Sequence, residues 1–180
     1  ERSSVYPGNC RRVLLDGPQL TALRFVVPDR ICEVEDHWSG TVSQDLLREV
    51  GDFVVRRKDG VFAYHLAVVV DDAKQGVTEV VRGRDLLSST PRQVALFEAL
   101  GETPPRFAHL PLWVDQSGHR LAKRRGDSTI RSLLQRESPE SVLGRVGAVL
   151  GVCEPGEGLF LDALLQRMDD DMGRLESVGG

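Results

Sequence analysis

Asp59-Gly60-Val61-Phe62-Ala63-Tyr64-His65-Leu66-Ala67-Val68-Val69-Val70-Asp71-Asp72 is the stretch on which the fold turns. Lys58-Asp59-Gly60 ends in an Asp-Gly pair of the kind that closes a hairpin, here from a strand at residues 52–57 into residues 61–64. Residues 65–72 are open to two readings. The Val68-Val69-Val70 run favours a buried strand by propensity, whereas the length and apolar continuity of the segment suit a buried helix, and periodicity does not separate them.

Upstream, residues 12–16, 20–27 and 30–35 read as short extended segments separated by Gly17-Pro18 and Pro28-Asp29 turns, a small β-rich connector. Residues 41–50 are weakly periodic and polar enough for a loop or a short helix. Downstream, the β-branched run at residues 77–82 delivers Arg82 to the edge of a sheet. Thr90-Pro91-Arg92-Gln93 combines an N-cap, a proline at the first helical position and a capping-box glutamine; it predicts a helix over residues 91–100, stopped by Gly101. A strand at residues 109–114 and a turn at 115–118 follow. Ser128 and Ser138 are suited to cap helices at residues 129–136 and 139–150, and a last amphipathic helix covers residues 159–172. The order is a β-rich connector, an α/β core and an all-helical tail, without internal repeats.

The turn at residues 115–118 presents a basic loop, Ser117-Gly118-His119-Arg120-Leu121-Ala122-Lys123-Arg124-Arg125-Gly126. With Arg131 these cations face one local acid, Asp127, although the chain carries a formal net charge of −4, so the positive charge is local. A lysine in such a loop can reach negative charge developing on a phosphoryl group, and arginines can grip phosphate oxygens in bidentate fashion. On charge alone a solvated surface turn explains the run as well.

Composition sets the frame. A length of 180 residues, 41% hydrophobic and 28% charged, is ordinary for a globular protein with one core or two small ones. No apolar run approaches the ~20 residues of a membrane span, and the Glu1-Arg2-Ser3-Ser4-Val5-Tyr6 start lacks the apolar core of a signal peptide, so a cytoplasmic location is expected. Cys10, Cys32 and Cys153 are three, widely spaced and without a complete zinc pattern, which argues against a disulfide framework. Cys32 and Cys153 read as small apolar residues, His109 and His119 as structural or solvent-facing, and Asp169-Asp170-Asp171 as a solvated patch.

Taken in order, Gly51-Asp52-Phe53-Val54-Val55-Arg56-Arg57, the Asp59 to Asp72 stretch, Gly76-Val77-Thr78, Val81-Arg82-Gly83, Ser89-Thr90-Pro91-Arg92-Gln93, His109-Leu110-Pro111-Leu112 and Arg120-Leu121-Ala122-Lys123-Arg124 resemble a glutamate-specific class I aminoacyl-tRNA synthetase. The last is similar to the family's KMSKS signature, with arginine for its first lysine and alanine for its serine. Phe62-Ala63-Tyr64 and Arg82-Gly83-Arg84-Asp85-Leu86-Leu87 are closer to the branch without an anticodon-binding region, the glutamyl-Q tRNA(Asp) synthetases, which load glutamate onto the queuosine base of a tRNA rather than its 3′ end. The resemblance runs from about Val5 to about Leu134 and is most specific in the middle.

The resemblance implies an α/β fold: the second half of a Rossmann-type catalytic core (residues 51–117), preceded by the end of a zinc-type insertion and a β-rich connector (residues 1–50) and followed by the KMSKS-like loop and helical tail (residues 118–180). It implies a helix at residues 65–72. It implies ATP and glutamate as substrates and a tRNA, tRNA(Asp) by the branch, as partner, with no membrane. Lys123 would stabilise charge on the ATP phosphates, with Arg120 as a weaker helper. Tyr64 and Arg82 match positions that bind the amino acid, Arg82 pairing with a carboxylate of glutamate. Read without the resemblance, Tyr64 is a packed aromatic and Arg82 an ion-pair partner of Asp85 or Glu79. Tyr6 and Cys10 resemble half of a zinc site that the branch completes with an upstream Cys-x-Cys pair; two ligands do not close a tetrahedral site, so poor zinc binding is expected.

No strand followed by the family's HIGH-like turn occurs in residues 1–50. The expectation is therefore a carboxy-terminal portion that is inactive alone and needs an amino-terminal half. The rival readings are a noncatalytic tRNA-binding or partner-binding module derived from a synthetase, a fragment of a full glutamyl-tRNA synthetase, and an unrelated α/β nucleotide-binding domain. For the loop, Lys123→Ala is expected to slow adenylate formation far more than it weakens glutamate binding; equal losses in the two assays would remove Lys123 from that role.

Overall fold

A computed structural model describes residues 21–114 and 129–178, with positions 5, 6, 8, 9 and 11, and side chains as far as residue 170. The expected strand at residues 12–16, the turn at 115–118, the basic loop and Ser128 lie outside the described residues. Two compact units are present, one of Glu1–Arg82 with Leu86–His109, the other of Gly83–Asp85 with Leu110–Gly180.

In the first unit, β1 (Leu23–Phe25) pairs antiparallel with β4 (Phe53–Arg56). A four-stranded sheet has the order β3-β2-β6-β5, where β2 is Ile31–Asp36, β3 Gly40–Asp45, β5 Glu79–Gly83 and β6 Arg106–Leu110. β2 alternates exposed and buried along its whole length, the mark of a strand with one face on a core. It pairs antiparallel with β3 from Ile31 opposite Asp45 to Asp36 opposite Gly40, and parallel with β6 at Asp36 and Phe107. The amide of Arg106, at the start of β6, donates to the Thr78 carbonyl just before β5. Helix α2 (Thr90–Leu100) makes the crossover between these two strands.

The ambiguous stretch is helical: α1 spans Tyr64–Gln75, with Ala63 at its N-cap and Gly76 in the left-handed region at its C-cap. Three valines in a row favour a strand only where a sheet neighbour is available. Here Val69 is instead buried with Leu96 and Phe97 of α2, and Leu66 and Val68 pack around them. The Asp-Gly turn forms, with Gly60 N–H on the Arg57 carbonyl, but the second hairpin strand shrinks to a bridge between Arg56 and Phe62 because the helix starts at Tyr64. α2 is buried over most of its length, Val94 and Ala95 against the sheet residues Cys32, Val34 and Phe107, Leu96 and Phe97 toward α1.

Three expectations need correction. Residues 41–45 belong to β3, followed by a π-helical turn at Leu46–Val50; no residue of this edge strand is fully buried, and its polar sequence hid it from a hydrophobic reading. β6 starts at Arg106 rather than 109 and ends before Pro111, which has no N–H for a ladder. Thr90 does not cap α2; Ser89 holds the cap position without a side-chain bond, and the Thr90 hydroxyl is used elsewhere.

In the second unit, Thr129 caps the short α3 (Ile130–Leu133) through the Ser132 amide, and Ser138 caps α4 (Pro139–Leu150) through the Ser141 amide, as expected for the latter. α5 spans Leu161–Val178. Val142, Leu159 and Leu164 are buried where α4 meets α5 and the loop before it. That loop lies directly on α4, since the Leu159 amide donates to the Glu140 carbonyl at 3.0 Å.

Gly144 and Gly147 permit this approach. A Cβ on Gly144 would stand 1.7 Å from the Glu157 carbonyl oxygen, and one on Gly147 2.8 Å from Cys153 Sγ and 3.0 Å from a Leu159 methyl. Alanine gains about 1 kcal/mol of helix propensity at either position. At Gly147 flexible side chains can yield, whereas at Gly144 the obstacle is backbone. Gly144→Ala is therefore expected to lower stability by about 2–3 kcal/mol and Gly147→Ala to change it by less than about 1 kcal/mol, read from urea unfolding; the reverse order would contradict this packing.

Candidate active site

The carboxyl ends of β2, β6 and β5 bring three chemically distinct side chains together. Asp36 is the last residue of β2, His109 the penultimate residue of β6 and Arg82 the penultimate residue of β5. In open α/β sheets ligands bind outside the carboxyl ends of the strands. His109 is fully buried and the Asp36 side chain is 1% exposed.

Asp36 is a thoroughly satisfied carboxylate. Its Oδ1 accepts from the amides of Ser39 at 2.7 Å, Trp38 at 3.2 Å and His109 at 3.1 Å. Its Oδ2 lies 2.5 Å from His109 Nδ1. Burial alone would raise its pKa, but the His109 ring and the backbone amides of Ser39 and His109 hold it below the ordinary 3.8.

Arg82 Nε donates to His109 Nε2 at 2.8 Å, and one terminal nitrogen, Nη2, donates to Thr90 Oγ1 at 2.9 Å and Gln93 Oε1 at 2.8 Å. The guanidinium also lies 5.5 Å from the Phe107 ring centroid, and the Phe107 and His109 rings stack at 6.2 Å. Thr90 and Gln93, whose spacing reads as a capping box, thus serve as acceptors for an arginine. Of the two acids expected as rivals for that arginine, Glu79 is 3.9 Å from Arg106.

α1 and α2 carry further titratable groups near this end of the sheet. Burial lowers the His65 pKa, and the charges of Arg92 and Arg82 lower it further; its Nδ1 is buried without a hydrogen-bond partner among the described residues. Burial raises the Asp72 carboxyl while the Arg82 charge pulls it down. Tyr64, the first residue of α1, is 55% exposed, with its ring 5.5 Å from that of His65.

Lys123, Arg120 and Cys10 lie outside the described residues. Tyr6 bridges to Gly51, and the Arg24 guanidinium sits 4.0 Å over its ring. Among the described residues no group of three or more His, Cys, Asp or Glu is placed to hold a metal ion, and no step is assigned to zinc. No sequence pattern pairs Asp36 with His109, since they are 73 residues apart and only the sheet register joins them.

A β–α–β crossover and an arginine held at the strands' carboxyl ends define a mixed α/β domain with a parallel strand pair. The chain matches the family model of class I tRNA synthetases for glutamate and glutamine, catalytic domain, over residues 15–163, and it belongs to that family. It is 50% identical over 149 residues to a glutamyl-Q tRNA(Asp) synthetase of Deinococcus radiodurans, covering 82% of this chain and 50% of that one. It is 44% identical over 175 residues to the protein of that name in Burkholderia cenocepacia, covering 94% of this chain and 57% of that one. A crystal structure of glutamate-tRNA synthetase from Elizabethkingia anophelis superposes with a TM-score of 0.59 at 25% identity, over 79% of this chain and 33% of that one. The chain spans about half the length of the curated relatives it matches. No helix among the described residues is long and apolar enough to cross a membrane.

Beside the Tyr6 region, Asp52 takes two bonds from the Arg11 guanidinium, each 2.6 Å, and one from the Val27 amide at 3.0 Å. The Arg11 bond is the main reason its pKa lies below 3.8. A depressed carboxylate contributes stability above its unfolded pKa and loses it as pH falls through the folded value. Asp52→Asn is accordingly expected to be less stable at neutral pH and to lose less additional stability between about pH 5 and pH 3. A parallel acid limb in the two proteins would show that Asp52 does not carry this dependence.

Proposed function

We propose that this chain supplies part of the active site of an enzyme that activates glutamate with ATP and transfers it to the queuosine base of tRNA(Asp). The observation that carries the reading is Arg82, held at the carboxyl end of the sheet in a family whose members act on glutamate or glutamine. The names of the curated relatives support the choice of acceptor.

In the first step a carboxylate oxygen of glutamate attacks the α-phosphorus of ATP, forming the mixed anhydride glutamyl adenylate and expelling pyrophosphate. In the second a nucleophile of the tRNA base attacks the activated carbonyl carbon and AMP leaves. Arg82 holds a glutamate carboxylate by charge-assisted hydrogen bonds, which orients the substrate and selects its acidic side chain or its α-carboxylate. Tyr64, exposed at the start of α1, walls the amino-acid pocket and offers its hydroxyl. Lys123, with Arg120, stabilises charge on the phosphates as pyrophosphate departs. The remaining ATP contacts come from a HIGH-bearing segment that this chain does not contain.

Glutamate-dependent exchange of pyrophosphate into ATP, measured on the protein produced from its complete reading frame, tests the first step; glutamate transfer to tRNA(Asp) with and without queuosine tests the second. Exchange and queuosine-dependent transfer are expected. Binding of tRNA without either reaction would favour the noncatalytic module instead. Arg82→Lys keeps the charge and loses the planar fork, so the glutamate KM is expected to rise by about 10- to 100-fold with the ATP KM unchanged. An unchanged glutamate KM would remove Arg82 from the substrate site.

A further inference from the structure

We propose that Asp36 and His109 act as a positioning pair for Arg82, setting the orientation of the guanidinium through one defined histidine tautomer. This rests on the reading of Arg82 as the glutamate-binding group, and it assigns a task to two residues that touch no substrate.

The tautomer follows from the donors. A guanidinium has N–H groups and no acceptor, so the 2.8 Å contact from Arg82 Nε requires a lone pair on His109 Nε2. The proton of the neutral ring is then on Nδ1, where Asp36 Oδ2 accepts it at 2.5 Å. The opposite tautomer would set two N–H groups against each other at Nε2 and leave the Asp36 carboxylate facing a lone pair. Asp36 is itself fixed by three backbone amides from the β2–β3 turn and β6. A rigid carboxylate thereby selects the tautomer, and the tautomer presents the acceptor that fixes Arg82.

Burial argues that the pair does more than fill space. A fully buried imidazole and carboxylate are costly to desolvate, and apolar residues would pack the end of the sheet without that cost. The polar pair offers one thing an apolar replacement lacks, a directed lone pair at the position of the Arg82 Nε. Thr90 and Gln93 meet Nη2, so acceptors on two elements bracket the guanidinium. A misplacement of about 1 Å in such a group can cost about 100-fold in function.

Two measurements on the protein from its complete reading frame decide the matter. Long-range 1H–15N correlation of 15N-histidine protein is expected to show His109 protonated at Nδ1 and bare at Nε2; protonation at Nε2 would overturn the proposal whatever the variants do. In glutamate-dependent pyrophosphate exchange, Asp36→Asn and His109→Leu are expected to raise the glutamate KM about 10-fold or more with the ATP KM within about twofold of wild type. His109→Gln, whose Oε1 can reach the place of Nε2, is expected to recover part of the loss. A merely structural role would rank the variants by melting temperature and move both KM values together, and that outcome would overturn the proposal. If Arg82→Lys raises the glutamate KM while folded Asp36→Asn and His109→Leu do not, the positioning role fails and the glutamate reading stands. If Arg82→Lys leaves it unchanged, the glutamate reading fails and the inference with it, even where the spectrum shows the Nδ1 tautomer.

Discussion

A buried carboxylate at the end of a strand is tolerable only when its lone pairs are answered, and Asp36 is answered four times, by three amides and an imidazole. The rest of the site depends on that accounting. The amides of Trp38 and Ser39 come from the turn into β3, and the amide and ring of His109 from the parallel neighbour β6. One side chain therefore ties the antiparallel and parallel parts of the sheet together where Arg82 is presented. Removing its charge would loosen a turn, a strand end and a ring at once.

The same chain of contacts explains what could be read from sequence and what could not. Helix ends were legible where the cap is local: Gly101 at the end of α2 and Ser138 at the start of α4 act within a few residues of themselves. Thr90 and Gln93 misled for an instructive reason. Their spacing is that of a capping box, but an arginine from β5 offers their oxygens stronger, charge-assisted donors than a helix amide does, and tertiary contact overrode the local signal. The helix at Tyr64–Gln75 was the opposite case, since valine propensity pointed to a strand and only the resemblance chose the helix. Strand β3 is hard to read because an edge strand with no fully buried residue carries little hydrophobic signal. Arg82 and Tyr64 were found as candidates through the family motif, while Asp36 was not found at all, because no local pattern couples residues 73 positions apart.

The second unit rests on a different constraint, close approach rather than charge. Gly144 and Gly147 lie three apart on α4, and their missing side chains admit the Glu157 carbonyl on one side and Cys153 with two leucines on the other. Arg145, between them in sequence, stacks 4.8 Å over Trp113 and pairs with Glu137 at 2.6 Å. Glycines in a helix cost stability unless such contacts offset it, so their presence here marks where the tail gains its packing.

The way Arg82 is anchored also bears on how a cation can bind an acidic substrate. A carboxylate in direct contact with Nε would fix the guanidinium, but it would also compete with glutamate for the charge. The hydrogen bonds that Nε and Nη2 make to His109 Nε2, Thr90 Oγ1 and Gln93 Oε1 run to neutral acceptors. The negative charge of Asp36 is set back by the width of an imidazole ring, near enough to choose the tautomer and too far to form the contact pair. Asp36 thus orients the guanidinium through a neutral ring rather than by direct contact. An arginine so held loses little freedom on binding, which is where a preorganised site gains its advantage over a mobile surface cation.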